Sequence, residues 1–285
     1  MSFKRAMLIT HMHPADGTDT VAGAVAAAAR AAQAANVELI STADEHEKHG
    51  EAAAGIEIVS DGERPDVCIV LGGDGSILYA LRRFSDTDVP VFGINFGTIG
   101  FLAAVEREDV SAGLERALKG DFEVMDLPAL RVNLQLEMPV ALNDVSFVRR
   151  PHGRVAELSY AIGEEEVGNV RCDGLVAATP AGSTGYNLAN AGPILAWGVK
   201  GYVVSFIAPH TLAARALVVA PDDALLVRNA AGREPVEISL DGEPAGELQA
   251  GAELEIRFEE SVSCLAQLPG ANFYHRIREK FGKLA

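Results

Sequence analysis

A glycine-rich segment, residues 72–75 (GGDG), lies between an apolar run typical of a buried strand and a segment with helical spacing. Glycine lets the backbone approach a ligand closely, so successive N–H groups can converge on an anion. The N-terminus of the following helix adds a potential that favours negative charge. The spacing is neither that of a Walker A loop nor that of the G-x-G-x-x-G fingerprint. It predicts a phosphate site at the carboxyl end of a strand.

Asp74 is the unusual member of this segment. A carboxylate beside a phosphate is repelled unless it binds a cation or takes a proton from a hydroxyl. Both roles suit phosphoryl transfer, in which a base orients the attacking oxygen and metal ions offset the phosphate charge. The alternative is that Asp74 only caps the following helix. The segment alone does not decide between the two interpretations.

Two further segments contain polar groups that could face such a phosphate. Residues 95–102 (NFGTIGFL) again follow a predicted strand, although an ordinary β–α turn would also explain Gly97 and Gly100. Residues 173–187 form a strand and then a loop dense in Gly, Ser and Thr, whose hydroxyls supply neutral hydrogen bonds. Tyr186 in this loop could stack on a base or a nicotinamide ring. A loop of this length and composition favours a binding function.

These segments, in this order, resemble the NAD kinase family, whose members make NADP by phosphorylating the 2′-hydroxyl of the adenosine ribose. The resemblance spans about residues 66–245 and rests on several separate motifs. They are GGDG at 72–75, N-x-G-x-x-G-F-L at 95–102, Asn143 with Asp144, DG…TP-x-GST-x-Y…GP at 173–193, PHTL at 209–212 and the Asp-Gly turn at 241–242. Three positions depart from the family pattern: Gly185 replaces alanine, Ala191 replaces the first glycine of Gly-Gly-Pro, and Ala216 replaces proline. None of the three removes a group expected to do chemistry.

The resemblance implies roles for the matching residues. Asp74 is expected by the acceptor hydroxyl as the catalytic base or orienting group, with the neighbouring glycines facing the transferred phosphate. Asn143 and Asp144 would hold the adenosine of NAD, and Asp173 with residues 184–186 would bind the nicotinamide side or the facing adenine. The predicted binding residues are Gly72, Gly73, Gly75, Asn95, Phe96, Gly97, Asn143, Asp144, Arg154, Asp173, Thr184, Gly185, Tyr186, Asn187 and His210.

Two of these residues have an open alternative. Arg154 belongs to a basic cluster with Arg149 and Arg150, which either meets phosphates or consists of paired surface arginines. His210 either lies near the site or is a buried, hydrogen-bonded histidine.

The implied ligands are NAD as acceptor, ATP or polyphosphate as donor, and Mg²⁺ or another divalent cation that arrives with the donor. No metal site built by the protein alone is expected, as is usual for this ion. A zinc site from His11 with His13, or from His46 with His49, is disfavoured because no H-E-x-x-H motif or cysteine set accompanies them. A homodimer or homotetramer is implied. The donor, the use of NADH and the number of subunits stay open.

The arrangement of apolar runs predicts an α/β N-terminal domain with a parallel sheet and an all-β, sandwich-like C-terminal domain. The resemblance adds a C-terminal helix that returns to the first domain. The predicted domains are residues 1–120, 121–268 and 269–285. Predicted strands are 5–10, 37–40, 66–71 and 90–94, and predicted helices are 18–35, 76–84, 110–118 and 272–281; shorter strands begin with 131–138.

The net charge of −16 argues against nucleic acid or an anionic membrane as the main partner. Only six lysines accompany the acid excess, which suggests adaptation to a high-salt cytoplasm; an ordinary acidic protein is the alternative. Three well-separated cysteines disfavour a disulfide framework. The apolar runs are too short to cross a membrane and the N-terminus lacks a signal-peptide cleavage site, so a cytoplasmic location is expected.

Two other functions remain open at this level. A related GGDG kinase could act on a lipid or a sugar phosphate, although the pair Asn143 and Asp144 and the 173–187 loop favour a dinucleotide. A regulatory module could have kept the NAD pocket and lost turnover, which the presence of Asp74 disfavours.

Overall fold

The structure is a computed structural model that describes residues 3–11, 20–98, 100–230 and 234–282. The chain divides into two compact units. The first unit contains Met1–Asp126 and Ser263–Ala285, and the second contains Leu127–Val262. The domain limits predicted from the sequence stay a prediction. None of the described helices is long and apolar enough to cross a membrane.

Six α-helices lie in the described part of the chain. They are α1 (Thr20–Ala35), α2 (Ala43–His49), α3 (Asp74–Arg83), α4 (Val110–Lys119), α5 (Tyr186–Ala189) and α6 (Phe273–Phe281). Short 3-10 turns occupy Gly50–Ala53, Arg107–Asp109 and Gly182–Thr184. Gly120 ends α4 in the left-handed conformation that favours glycine, and the Asn272 side chain accepts the Tyr274 N–H at the start of α6. The residue 18 at which α1 was predicted to begin lies outside the described residues.

A parallel sheet forms the centre of the first unit. Its strands are β1 (Arg5–Thr10), β2 (Glu38–Thr42), β3 (Glu57–Val59), β4 (Val67–Gly72), β5 (Pro90–Asn95) and the short β6 (Val105–Glu106). They run in the order β3-β2-β1-β4-β5, with β6 beside β5. β4 and β5 are buried along their whole length, as the unbroken apolar runs require. The carboxyl ends of both strands carry the glycine-rich loops.

Antiparallel strands build the second unit. They are β7 (Glu123–Val132), β8 (Val140–Ala141), β9 (Asp144–Arg149), β10 (Ala156–Ile162), β11 (Glu165–Cys172), β12 (Gly174–Ala178), β13 (Tyr202–Ile207), β14 (Leu217–Val219), β15 (Leu225–Asn229), β16 (Val236–Leu240), β17 (Glu243–Leu248) and β18 (Glu253–Gln267). One sheet has the order β14-β13-β12-β9-β16-β17, and the other contains β11-β10-β15-β18. Side chains of both sheets, among them Phe147 and Leu158, share one apolar core. The predicted sandwich-like domain is confirmed.

Two elements differ from the sequence prediction in where they begin or end, and the C-terminal helix lies where it was predicted. α3 begins at Asp74, two residues before its predicted start. β7 ends at Val132, whereas the alternating pattern predicted a strand over 131–138; the Val132 N–H closes a loop by donating to Pro139 O at 2.9 Å. The last residues of β18, Cys264 to Ala266, pair in parallel with β5 in the first unit, and α6 follows them there. The predicted return of the C-terminal helix is therefore confirmed.

Candidate functional site

Two glycine-rich loops meet at the carboxyl ends of β4 and β5. The Phe96 N–H donates to the Gly72 carbonyl at 3.0 Å, which joins the loops where the strands end. A methyl group on Gly97 would lie 2.9 Å from the Cα of Gly73, so only glycine allows this approach. One on Gly72 would lie 2.6 Å from Ser76 Oγ. These glycines are therefore needed for the close approach of the two loops to each other, while the predicted contact of their backbone with a phosphate stays a prediction.

Asp74 connects the two loops. Its Oδ2 accepts the Phe101 N–H at 2.8 Å and its Oδ1 accepts the Leu102 N–H at 2.9 Å. The N-cap of α3 is Gly73, and no side chain among the described residues caps that end. The helix-cap alternative for Asp74 is therefore wrong. Each carboxylate oxygen keeps a further lone pair after these bonds, so Asp74 can still accept a hydrogen bond from a ligand.

Asn95 shapes the second loop from inside. Its side chain is 4 % exposed; Oδ1 accepts the Gly97 N–H at 2.9 Å and Nδ2 donates to Glu106 Oε2 at 2.6 Å. Gly100 has φ of 64°, and a methyl group there would lie 2.2 Å from Asn95 Nδ2. The amide therefore fixes the turn, while its predicted contact with a nucleotide stays a prediction. Phe96 packs partly buried against the apolar core of the first unit.

The end of β1 approaches the same loops through His11, whose Nδ1 lies 3.4 Å from Ser76 Oγ. Behind it, Thr10 Oγ1 donates to Glu45 Oε2 at 2.6 Å and lies 2.7 Å from His49 Nε2. Because the Thr10 hydroxyl has one proton and gives it to the carboxylate, His49 must donate through Nε2. Burial lowers the pKa of His49, against the opposing effect of the Glu45 charge. His49 is thus a structural hydrogen-bond donor, and no sequence pattern links it to its partner Thr10.

The described residues contain no group of three or more His, Cys, Asp or Glu side chains placed to hold a metal ion. His13, part of the histidine pair considered from the sequence, lies outside the described residues.

In the second unit, Asp241 organises the chain around Asn143. Its Oδ2 accepts the Leu142 N–H at 2.9 Å, and its Oδ1 accepts the N–H groups of Asn143 and Asp144 at 2.7 and 3.1 Å. Asp241 itself has φ of 52°, a left-handed conformation that aspartate tolerates better than most residues. The Asp-Gly turn at 241–242 is part of the family resemblance, but Asp241 is not among the predicted site residues. A carboxylate before glycine in a turn was the available signal.

Asp144 is an unusual carboxyl group because it is 7 % exposed. Burial, and then the negative charge of Asp241, raises its pKa to about 7. Asp144 therefore changes its charge near neutral pH, whereas ordinary aspartates are ionised there.

The loop after β12 is held by small polar side chains. Thr179 Oγ1 donates to Leu142 O at 2.6 Å and accepts the Gly182 N–H at 3.1 Å. A methyl group on Gly182 would lie 2.0 Å from Asn143 O, so the loop packs directly on the Asn143 backbone. Asn187 is buried, and its Nδ2 donates to Ser183 O and Pro193 O at 2.9 and 3.0 Å. Asn187 is therefore placed to support the loop.

Residues 184–186 lie at the outer side of this loop. Tyr186 is 37 % exposed, and its pKa is raised by partial burial and then by the charges of Asp144 and Asp173. Thr184 Oγ1 donates to Ala181 O at 3.2 Å, and Gly185 is exposed. An accessible tyrosine ring close to two aspartates suits stacking on an aromatic ligand.

Asp173 is paired with Arg149, whose Nε donates to Asp173 Oδ1 at 2.6 Å. This hydrogen bond lowers the pKa of Asp173, and the nearby His210 acts in the same direction. His210 is exposed and donates its backbone N–H to Arg171 O at 2.8 Å. The interpretation of His210 as a buried histidine is therefore wrong.

Arg154 is exposed and lines a cavity of about 620 Å³ with Arg149, Arg150 and Arg171.

The predicted residues thus fall into two groups. In the first unit, the structure brings together Gly72, Gly73, Asp74, Gly75, Asn95, Phe96 and Gly97. In the second unit, Asn143 and Asp144 lie with the 179–187 loop, and Asp173 lies with His210. Arg154 lines the arginine cavity with Arg149, the partner of Asp173, and its predicted role in binding stays a prediction.

Known proteins are similar to this chain in both sequence and fold. The model for the ATP-NAD kinase N-terminal domain matches residues 20–122, and the model for the C-terminal domain matches residues 142–263. An NAD kinase of Symbiobacterium thermophilum is 38% identical over 220 residues, which cover 75% of this chain and 78% of the relative.

Two solved structures have the same fold. Yeast NADH kinase complexed with NADH superposes with a TM-score of 0.85 at 20% identity, covering 100% of this chain and 89% of that chain. An NAD kinase from Archaeoglobus fulgidus in complex with ATP gives a TM-score of 0.75 at 23% identity, covering 98% of each chain.

An α/β unit with a glycine-rich loop at the carboxyl ends of its strands, joined to a β-sandwich unit with a polar loop, suits a phosphotransferase. The family models and the relatives that match most of the sequence then identify the family. The chain belongs to the NAD kinase family, whose members make NADP from NAD. The family and the fold class predicted from the sequence are both confirmed.

Proposed function

We propose that this chain phosphorylates the 2′-hydroxyl of the adenosine ribose of NAD, with ATP as donor and Asp74 facing the hydroxyl. The observation that supports this most is the position of Asp74. Its carboxylate lies where the two glycine loops meet, and two backbone N–H groups fix its orientation. A fixed carboxylate beside N–H groups able to bind phosphate is what in-line phosphoryl transfer requires.

The proposed reaction transfers the γ-phosphoryl group of ATP to the 2′-oxygen of NAD. The 2′-oxygen of NAD bonds to the γ-phosphorus of ATP, the bond from that phosphorus to the β–γ bridging oxygen breaks, and ADP leaves. The hydroxyl proton passes to the Asp74 carboxylate, which accepts it through a lone pair that the Phe101 and Leu102 N–H groups leave unused. A methyl group on Gly75 would meet nothing within 4 Å among the described residues, so this part of the loop has room for the transferred phosphate beside the backbone.

The second unit would bind the adenosine of NAD. Asn143 is held by its backbone to Asp241 and Thr179, which leaves its half-buried side-chain amide available for a base or ribose. Asp144 can accept from ribose hydroxyls as a carboxylate or donate as a neutral acid, because its pKa is about 7. Tyr186 would stack on a ring, and Asp173 would bind through the oxygen lone pairs that Arg149 leaves free.

Magnesium is part of the same proposal. The residues fit an ion held mainly by phosphate oxygens and water, because Asp74 is the one carboxylate in segments 72–76 and 95–102. When bound, the ion would neutralise charge on the donor phosphates. Homodimer or homotetramer assembly and a cytoplasmic location complete the proposal. Light scattering of the purified chain tests the assembly.

The deciding experiment incubates the protein with NAD, a magnesium salt and ATP, and measures NADP with an NADP-specific dehydrogenase. A parallel reaction replaces ATP with polyphosphate, and a third replaces NAD with NADH. NADP formed from ATP supports the proposal, and NADP from polyphosphate alone would change only the donor. Binding of NAD without product would instead favour a regulatory module. Failure to bind NAD, with transfer to a lipid or a sugar phosphate, would overturn the proposed substrate.

A further inference from the structure

Side chains on two sides form hydrogen bonds with the backbone of residues 101–103 within the first unit. On one side, Asp74 accepts the N–H groups of Phe101 and Leu102. On the other side, Arg276 Nη1 in α6 donates to Phe101 O at 2.5 Å and to Ala103 O at 2.8 Å. Gln267 Nε2, at the end of β18, donates to Leu102 O at 2.8 Å, and its Oε1 accepts from Arg276 Nη2. Three consecutive carbonyl groups are thus bound by two side chains.

One peptide group lies directly between opposite charges. The unit that joins Phe101 to Leu102 points its N–H at Asp74 Oδ1 and its carbonyl at the Arg276 guanidinium. The dipole of a peptide group has its positive end at N–H and its negative end at C=O. The carboxylate and the guanidinium therefore both stabilise the same orientation of this peptide group, and each strengthens the other's hydrogen bond.

We propose that Arg276 and Gln267 are positioning residues that hold Asp74 in its productive orientation through the 101–103 backbone. Neither residue touches the reacting atoms in this proposal, which rests on the proposed function of Asp74. α6 thereby couples the C-terminal end of the chain to the carboxylate at the phosphate loop. A shift of about 1 Å in a catalytic group can cost roughly 100-fold in rate. The hydrogen bonds to the backbone of residues 101–103 therefore affect the rate of phosphoryl transfer.

The environment of Arg276 agrees with this role. Burial lowers its pKa, and the charges of Asp74, then Glu106 and Glu279, act in the opposite direction. A guanidinium stays charged in such surroundings and offers several donors in a fixed plane, which a lysine cannot reproduce. Arg276 uses that plane to reach two carbonyls and the Gln267 amide at once.

Aromatic packing holds α6 independently of Arg276. The Phe101 ring lies 6.4 Å from the Phe273 ring and 5.9 Å from the Phe281 ring, measured between centroids. Lys280 adds an ion pair with Glu106 at 3.3 Å. An Arg276→Lys substitution therefore leaves α6 with several anchors while it removes the planar contact with the backbone.

The test compares wild type, Arg276→Lys, Asp74→Asn and the double variant by steady-state kinetics. The matched control is Arg278→Lys on the same helix, whose guanidinium is exposed and contacts His275 at 3.0 Å. We expect Arg276→Lys to lower kcat about 10- to 100-fold, with KM for NAD and ATP within about twofold. In the Asp74→Asn background the same substitution should lower the residual kcat less than about threefold, because residues that act as a unit are not additive. A merely structural role would give the same factor in both backgrounds.

Several outcomes overturn the inference. They are a wild-type kcat for Arg276→Lys, an equal loss in both backgrounds, or an equal loss in Arg278→Lys. If circular dichroism shows that Arg276→Lys does not fold, Gln267→Met decides the matter, because it removes the Leu102 contact and keeps an apolar chain of similar length. We expect about a 3- to 30-fold loss of kcat, dependent on Asp74 in the same way. A wild type that makes no NADP would overturn the proposed function instead, so the two failures are distinguishable.

Discussion

The Asp144 N–H donates to the carboxylate of Asp241 at 3.1 Å, and this contact brings the Asp241 charge close to the buried Asp144 carboxyl group. The Asp241 carboxylate therefore has two opposing effects on this part of the chain. The Asp241 carboxylate is needed to hold three consecutive N–H groups, and its charge disfavours ionisation of Asp144. The second unit thus contains a titrating group at the predicted adenosine site.

The first prediction concerns stability and pH. The pKa of Asp144 is about 7 in the folded protein and about 3.9 in the unfolded chain, so folding takes up a proton between these values. Stability from this group is complete below pH 4 and is lost as the pH rises to 7. Asp144→Asn removes this loss, so the variant should gain stability relative to wild type from pH 4 to pH 8, by at most about 4 kcal/mol. Urea unfolding at several pH values measures the difference.

Asp173→Asn is the matched control for that experiment. The Arg149 hydrogen bond lowers the pKa of Asp173, so this group titrates below the tested range. Its substitution should shift the unfolding free energy by a constant amount between pH 5 and 8. Parallel curves for wild type and Asp144→Asn over the same range would contradict the prediction.

The second prediction concerns the chemical step. Asp74→Ala removes both the proton acceptor and the bonds to Phe101 and Leu102, and should lower NADP formation by about 10²- to 10⁴-fold. Asp74→Asn keeps the size of the side chain but cannot take the proton, and its NH2 group would face one of the two N–H groups that the carboxylate accepts, so its loss should be of the same order. Asp61→Asn, at an exposed carboxylate that pairs with Arg83, should remain close to wild type. An Asp74→Ala rate within tenfold of wild type would rule out the proposed role.

The third prediction concerns the contact between the loops. A methyl group on Gly97 would lie 2.9 Å from the Cα of Gly73, so Gly97→Ala must push the two backbones apart. We expect kcat to fall about 10- to 100-fold, because the groups around the phosphate move with the loop. Gly23→Ala in α1 is the control: its methyl group would meet open space among the described residues, and stability should rise by about 1 kcal/mol. Wild-type kinetics for Gly97→Ala would show that the loops tolerate separation.

The sequence predicted the strands around the phosphate loop well, because β4 is an apolar run that ends at Gly72 and β5 is a mostly apolar run followed by the glycine-rich segment 95–102. It missed β13, although Gly201 directly precedes this equally apolar run and Pro209 follows two residues after it ends. Local pattern also left Asp74 between a cap and a base. Its true partners, Phe101 and Leu102, follow 27 and 28 residues later and are fixed by packing.

Contacts between side chains that are far apart in the sequence could not be predicted from local patterns either, because packing brings these side chains together. Helical spacing predicted α6, but the contact of Arg276 with residues 101–103 depends on where that helix packs. The raised pKa of Asp144 likewise requires burial beside Asp241, which lies 97 residues away. The high-salt adaptation suggested by the composition stays a prediction, to be tested by unfolding on dilution from molar salt.

The last prediction concerns Ala191, which occupies the left-handed region at φ of 58°. The family pattern has glycine at this position, and a non-glycine residue there carries a strain of about 1–2 kcal/mol. Ala191→Gly would remove this strain, but the greater backbone freedom of glycine in the unfolded chain offsets part of the gain in stability. Ala191→Gly should therefore raise stability by about 0.5–1 kcal/mol, or the Tm by about 2 °C, measured by thermal unfolding. Ala189→Gly, at the C-terminal end of the four-residue α5, should lower stability by less than the roughly 1 kcal/mol expected in a helix interior. A drop in Tm for both variants would mean that Ala191 carries no such strain.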